Sequence, residues 1–107
     1  MNKYEEKILK QIVQALRLNF ANKLIAVYAF GSKIRGDFDE WSDFDVLIII
    51  KGKTPAIEKK IISIIVDEEY RNGLSFAPII KDEKAFEMEK LFHTPFYENI
   101  MREGIAL

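Results

Sequence analysis

Residues 3–19 place Ile8, Leu9, Ile12, Val13 and Leu16 at the spacing of one helical face, with charged residues between them. Asn19 and Asn22 bracket the end of that helix. Leu24 to Phe30 is then a run of small and apolar residues that predicts a buried strand stopped by Gly31. Ser32 reads as the N-cap of a very short helix, Lys33-Ile34-Arg35, closed by Gly36. A polar loop over 37–42 leads into a second strand, 43–50, which ends in Val46-Leu47-Ile48-Ile49-Ile50. Thr54-Pro55 is a cap followed by proline at a first helical position. Ile57, Ile61, Ile64 and Ile65 mark the inner face of that helix, which reaches Tyr70 and ends at Asn72-Gly73. A third strand runs from Leu74 to Lys81. Pro78 inside it cannot donate to a ladder, so the strand belongs at a sheet edge or a bulge. A short helix over 83–92 turns Phe86 and Leu91 inward. Thr94-Pro95 repeats the cap signal, and Phe96 to Glu103 forms a last helix stopped by Gly104. The order α-β-α-β-α-β-α-α predicts an α/β (α+β) sandwich with helices on a small sheet, and residues 1–107 read as one domain.

Composition narrows the possible functions. Apolar residues make up 49% of the 107 positions, enough for a core, and the formal net charge is −1. That balance argues against a broad basic surface for duplex nucleic acid, without excluding local recognition of a nucleotide phosphate. No cysteine is present, so neither disulfides nor thiolate metal sites arise. No apolar run reaches the ~18 residues of a membrane span. The charged start, Met1 to Lys7, lacks the apolar stretch of a signal peptide. The expectation is a cytoplasmic protein with no membrane association.

The candidate chemistry sits in "FGSKIRGDFDEWSDFDVLIII", residues 30–50. Strand side chains alternate, so Asp43 and Asp45 share one face while Phe44 and Val46 point into the core. Two carboxylates so close raise each other's proton affinity unless a cation lies between them. Hard oxygen ligands at this spacing suit Mg²⁺ or Mn²⁺ used together with substrate phosphates. Upstream, a strand ending in Gly31-Ser32 and turning into a short helix leaves backbone N–H groups that favour an anion. Glycine permits close approach of a phosphate to the main chain. Arg35, one turn on, could add a bidentate contact.

These residues resemble the nucleotidyltransferase superfamily that includes DNA polymerase beta, and more closely the minimal nucleotidyltransferase (MNT) group. The shared pattern is an apolar strand ending in Gly31-Ser32, then Arg35-Gly36, then Ser42-Asp43-Phe44-Asp45 opening a second apolar strand, with ten residues between Ser32 and Asp43. The resemblance implies a nucleotidyltransferase-like fold with a small mixed sheet. It implies attack of a hydroxyl on the α-phosphate of a nucleoside triphosphate, with ATP the expected substrate and AMP the expected group moved. Asp43 and Asp45 would be catalytic and hold the metal. Gly31, Ser32, Arg35 and Ser42 would bind the nucleotide. Members of this size are often paired with a HEPN-domain protein as a toxin–antitoxin system, and in some pairs the MNT protein adenylylates that partner.

One family feature is missing. The third carboxylate is expected on the next strand, and Leu74 to Ile80 contains no acid. An alternative reading is therefore an antitoxin-like binding module that blocks a HEPN ribonuclease by contact. One small domain also leaves a pocket open on one side, so a HEPN-domain protein or a second copy in a homo-oligomer is expected to cover it. Other features read as structural. The Asp37–Asp45 run fails as a calcium loop, because Ser42 stands at its glycine position and Ile48 at its glutamate position. Trp41 is expected to cover the core edge, and His93 to cap the loop before Thr94-Pro95.

Overall fold

The computed structural model describes residues 1–36 and 42–107. The expectations for Asp37, Asp39 and Trp41 lie outside the described residues. Helix α1 spans Lys3–Phe20 and opens with a reciprocal cap: the Asn2 side chain accepts from Glu5 N–H at 2.8 Å, and Glu5 accepts from Asn2 N–H at 2.9 Å. A 3₁₀ turn, Ala21–Lys23, leads to β1, Leu24–Phe30. Helix α2 is the single turn Ser32–Arg35, β2 is Phe44–Ile50, and α3 is Pro55–Asn72. Strand β3, Phe76–Asp82, runs directly into α4, Glu83–Leu91; α5, Pro95–Glu103, and β4, Ile105–Ala106, complete the chain. The Thr54 and Thr94 hydroxyls each accept the amide three residues on, with proline at the first helical position.

The sheet order is β3-β2-β1-β4. Strands β1 and β2 are antiparallel, β2 and β3 are parallel through the α3 crossover, and β4 lies antiparallel to β1. The sheet is mixed, with helices on both faces. Phe44, Val46, Ile48 and Ile50 pack with the inner stripes of α1 and α3. Leu47 and Ile49 face the other way, against Phe86 of α4 and Ile100 of α5. Burial on both sides is why β2 reads as an unbroken apolar run rather than an alternating one. Each such isoleucine contributes about 1.5–3 kcal/mol of transfer free energy. Among the described residues, no helix is long and apolar enough to cross a membrane.

Pro78 lies on the edge strand, and the ladder shows why it is tolerated. Phe44 N–H donates to Ser75 C=O at 2.9 Å. That bond and the register turn the amide positions of Phe76, Pro78 and Ile80 away from β2. Proline's missing N–H therefore falls on the outer side. The outward Phe76 N–H donates to the Glu69 carboxylate at 2.8 Å. The edge is blunted over its first three residues.

Several local expectations are corrected. The N-cap of α2 is Gly31, whose carbonyl accepts from Ile34 and Arg35, so Ser32 is the first helical residue. Strand β2 begins at Phe44 rather than Asp43, and strand β3 spans Phe76–Asp82 rather than Leu74 to Lys81. Leu91 is 67% exposed, because α4 ends there and Phe86 fills the core position. Strand β4 is an addition, held to Tyr28 and Ala29 and by Leu107 N–H donating to Val27 C=O.

Candidate functional site

Gly31 ends β1 with φ +86° and ψ −167°, a conformation almost reserved for glycine. A Cβ on residue 31 would meet the Asp45 carboxylate at once, 2.9 Å from its Cγ and closer still to Oδ2. The sheet register makes that approach unavoidable: Asp45 is the cross-strand partner of Phe30, the residue before the bend. Asp43 stands exposed just ahead of the strand, while Asp45 is partly buried.

Burial pushes the Asp45 carboxyl above the usual carboxylate range. The Asp43 charge pushes the same way, and the Arg35 guanidinium opposes both. The three side chains thus share one electrostatic neighbourhood, although Arg35 is on a different element. Gly31 and Asp45 lie in contact, and the charges of Asp43 and Arg35 both act on Asp45. Ser32 follows the bend as the first residue of α2, and Ser42, partly buried, immediately precedes Asp43.

Two further features surround this group. Phe30 meets Phe96 of α5 edge to face, with ring centroids 5.8 Å apart, which gives the carboxylate side an apolar wall. Glu103, the last residue of α5, brings Oε2 to 3.4 Å from Arg35 Nη1. Sequence reasoning missed Glu103, and no local signal could have found it, since 68 positions separate the pair. On the β3 side, the partner of Asp45 in register is Ala77. Its side chain shares the carboxylate face, and it is not an acid.

Two clefts lie away from the carboxylates. They adjoin, with volumes of about 200 and 370 Å³, and share Glu87, Lys90 and Tyr97 along α4 and α5. The first reaches Ala26 and Ile49, at the opposite end of β2 from Asp45. Neither is lined by the Gly-Ser bend or the paired aspartates. Among the described residues, no three acidic, histidine or cysteine side chains are grouped to hold a metal ion. A two-carboxylate rim still fits a hard divalent cation that completes its shell with phosphate oxygens and water. The raised proton affinity of Asp45 comes first from burial and second from the Asp43 charge, so a cation beside the pair would favour its ionised form.

The family model for the nucleotidyltransferase domain matches residues 7–107. The chain belongs to the nucleotidyltransferase domain family. Two relatives from Methanocaldococcus jannaschii, each named "Putative protein adenylyltransferase", are similar along nearly their whole length. One is 30% identical over 103 residues, spanning 96% of this chain and 97% of the relative. The other is 33% identical over 102 residues, spanning 94% and 96%. A solved structure from Sulfolobus solfataricus, titled as a "putative nucleotidyltransferase", superposes with a TM-score of 0.57 at 26% identity, covering 94% of this chain and 76% of that one. The nucleotidyltransferase fold expected from the Gly31-Ser32 and Asp43-x-Asp45 pattern is thus the one observed, and this chain is a nucleotidyltransferase.

Proposed function

We propose that this nucleotidyltransferase moves AMP from ATP to a hydroxyl group of a protein. The observation that carries the reading is the Asp45 carboxylate seated against the Gly31 bend, with Asp43 and Arg35 acting on it. Support for a protein acceptor comes from the names of the two full-length relatives. In this reading Asp43 and Asp45 hold Mg²⁺ or Mn²⁺. Gly31 and Ser32 receive the triphosphate on the main chain, Arg35 faces its charge, and Ser42 orders the approach to Asp43. The acceptor oxygen bonds to the α-phosphorus, and the bond from that phosphorus to the bridging oxygen breaks. Pyrophosphate leaves, and the hydroxyl proton passes to water. A bound divalent cation supplies positive charge against the charge developing on the phosphate oxygens.

The acceptor in this reading is a HEPN-domain partner, with the chain as the antitoxin of the pair in the cytoplasm; a homo-oligomer is the other arrangement that covers the open side. A second reading, inhibition by contact without transfer, is favoured by one observation: the β3 residue beside Asp45 is Ala77, not an acid. The test is incubation with labelled ATP and Mg²⁺, with and without the product of the neighbouring gene. Label transfer that is lost in Asp43→Asn and Asp45→Asn supports the enzyme. Inhibition that survives both substitutions, with no label moved, supports the contact module and overturns the transferase reading.

A further inference from the structure

Arg35 belongs to a four-residue helix with no buried residue, so packing alone does not fix its long side chain. The backbone of its neighbour Glu103 is anchored on both sides. One turn earlier Ile100 is 1% exposed in the core, and Gly104 N–H closes the helix on Ile100 C=O at 2.8 Å. Immediately after, Ile105 and Ala106 pair with Ala29 and Tyr28 of β1, the strand that ends in the Gly31 bend. Glu103 is therefore bolted to the same framework as the candidate phosphate cradle. Its carboxylate reaches Arg35 Nη1 at 3.4 Å through Oε2, while Oε1 lies 3.7 Å from Arg102 Nη2.

We propose that Glu103 is a positioning residue, holding the Arg35 guanidinium toward the triphosphate across the gap between α5 and α2. The proposal rests on the reading above that Arg35 faces phosphate. An arginine side chain loses several rotors when it binds an anion, and a carboxylate on an anchored backbone beside it takes part of that loss in advance. The Arg35 and Glu103 side chains are 40% and 28% exposed, so the effect is a small factor rather than an all-or-none one.

The test is calorimetric titration of the full chain with ATP in the presence of Mg²⁺, for the parent protein, Glu103→Ala, Glu103→Gln, Arg35→Ala and the double variant Glu103→Ala/Arg35→Ala. Arg35→Ala is expected to weaken ATP binding about tenfold or more. Glu103→Ala is expected to weaken it roughly two- to fivefold. Glu103→Gln, which keeps an acceptor oxygen, falls between Glu103→Ala and the parent. AMP, which lacks the β- and γ-phosphates, binds Glu103→Ala as it binds the parent. The double variant binds ATP no more weakly than Arg35→Ala. A Glu103→Ala loss that persists in full in the Arg35→Ala background, or that is equal for AMP, overturns the positioning role and leaves the phosphate role of Arg35 intact. Unchanged ATP binding in Arg35→Ala overturns both.

Discussion

The Asp45 carboxylate occupies the space in which a side chain on residue 31 would begin. Gly31 is thus required twice, once for its backbone angles and once for its missing Cβ. Ordinary residues at φ +86° and ψ −167° cost on the order of 1–3 kcal/mol, before any clash is counted. Gly31→Ala must therefore displace Asp45, the end of β1, or both. The expected result is loss of nucleotidyl transfer by at least about tenfold, which is ~1.4 kcal/mol in the barrier. A drop in Tm on the order of 5–15 °C accompanies it. Thermal unfolding and labelled-ATP assays on the same preparation check this, and an active, parent-like Gly31→Ala protein contradicts the close packing described.

Asp45 links function to instability through its charge. Its carboxyl is held above the usual range by burial first and by Asp43 second. The folded state therefore binds the Asp45 proton more tightly than the unfolded chain does. Its contribution is most favourable below the ordinary carboxylate pKa, near 4, and is lost as pH rises through the raised folded value. At neutral pH, without a divalent cation, Asp45→Asn should have a higher Tm than the parent, and the gap should widen from acid toward neutral. Mg²⁺ should narrow the gap by stabilising the parent alone. Melting curves from pH 4 to 7 test this, and an Asn variant less stable at neutral pH shows the reading of Asp45 to be wrong.

The edge of the sheet gives a prediction independent of catalysis. The Glu69 carboxylate accepts the outward amide of Phe76, and Pro78 has none to offer. Glu69→Ala leaves that amide to water and should lower stability by about 1–3 kcal/mol in urea unfolding. Pro78→Val restores an outward donor beside an apolar strand and should promote self-association. Size-exclusion chromatography at rising concentration measures it; a Pro78→Val protein that elutes like the parent removes proline's protective role.

Much of this architecture was legible because local chemistry and tertiary role agree. The run from Val46 to Ile50 is apolar throughout because both its faces are covered, and the two Thr-Pro pairs begin helices where capping physics places them. The Gly31-Ser32 bend was visible because a strand turning into a short helix needs particular residue types at fixed spacing, whereas Asp43 sits just ahead of β2 rather than on it. What was hidden depends on contacts between distant segments. Leu91 fits a helical stripe, yet α4 ends there and leaves it in solvent. Ile105 and Ala106 are too few to read as a strand and become one only because the β1 edge is open beside them. Glu103 looks like any surface acid until the fold carries it to Arg35.

The register also turns the missing acid into an experiment. Ala77 is the parallel-strand partner of Asp45, so its side chain emerges on the same face, one inter-strand spacing away. An aspartate there would add a third carboxylate to the rim, and two opposing effects follow. Without a cation, a third negative charge raises the proton affinity of Asp45 further and lowers stability, so Ala77→Asp should melt below the parent in chelator. With Mg²⁺ the same charge becomes an added ligand or a base for the acceptor hydroxyl. A positioned general base is worth about 10²–10⁴ in rate when the reaction lacks one. Partial misplacement reduces that, so a rise in transfer of about tenfold or more is expected. Ala77→Asn controls for shape without charge and should leave transfer near the parent level. The stability penalty in chelator should shrink on adding Mg²⁺, in proportion to the extra binding. If Ala77→Asp melts lower in chelator yet gains neither Mg²⁺ stabilisation nor transfer, then the rim does not work as a cation site with an acid to spare, and the absence of a third carboxylate is not what limits this protein.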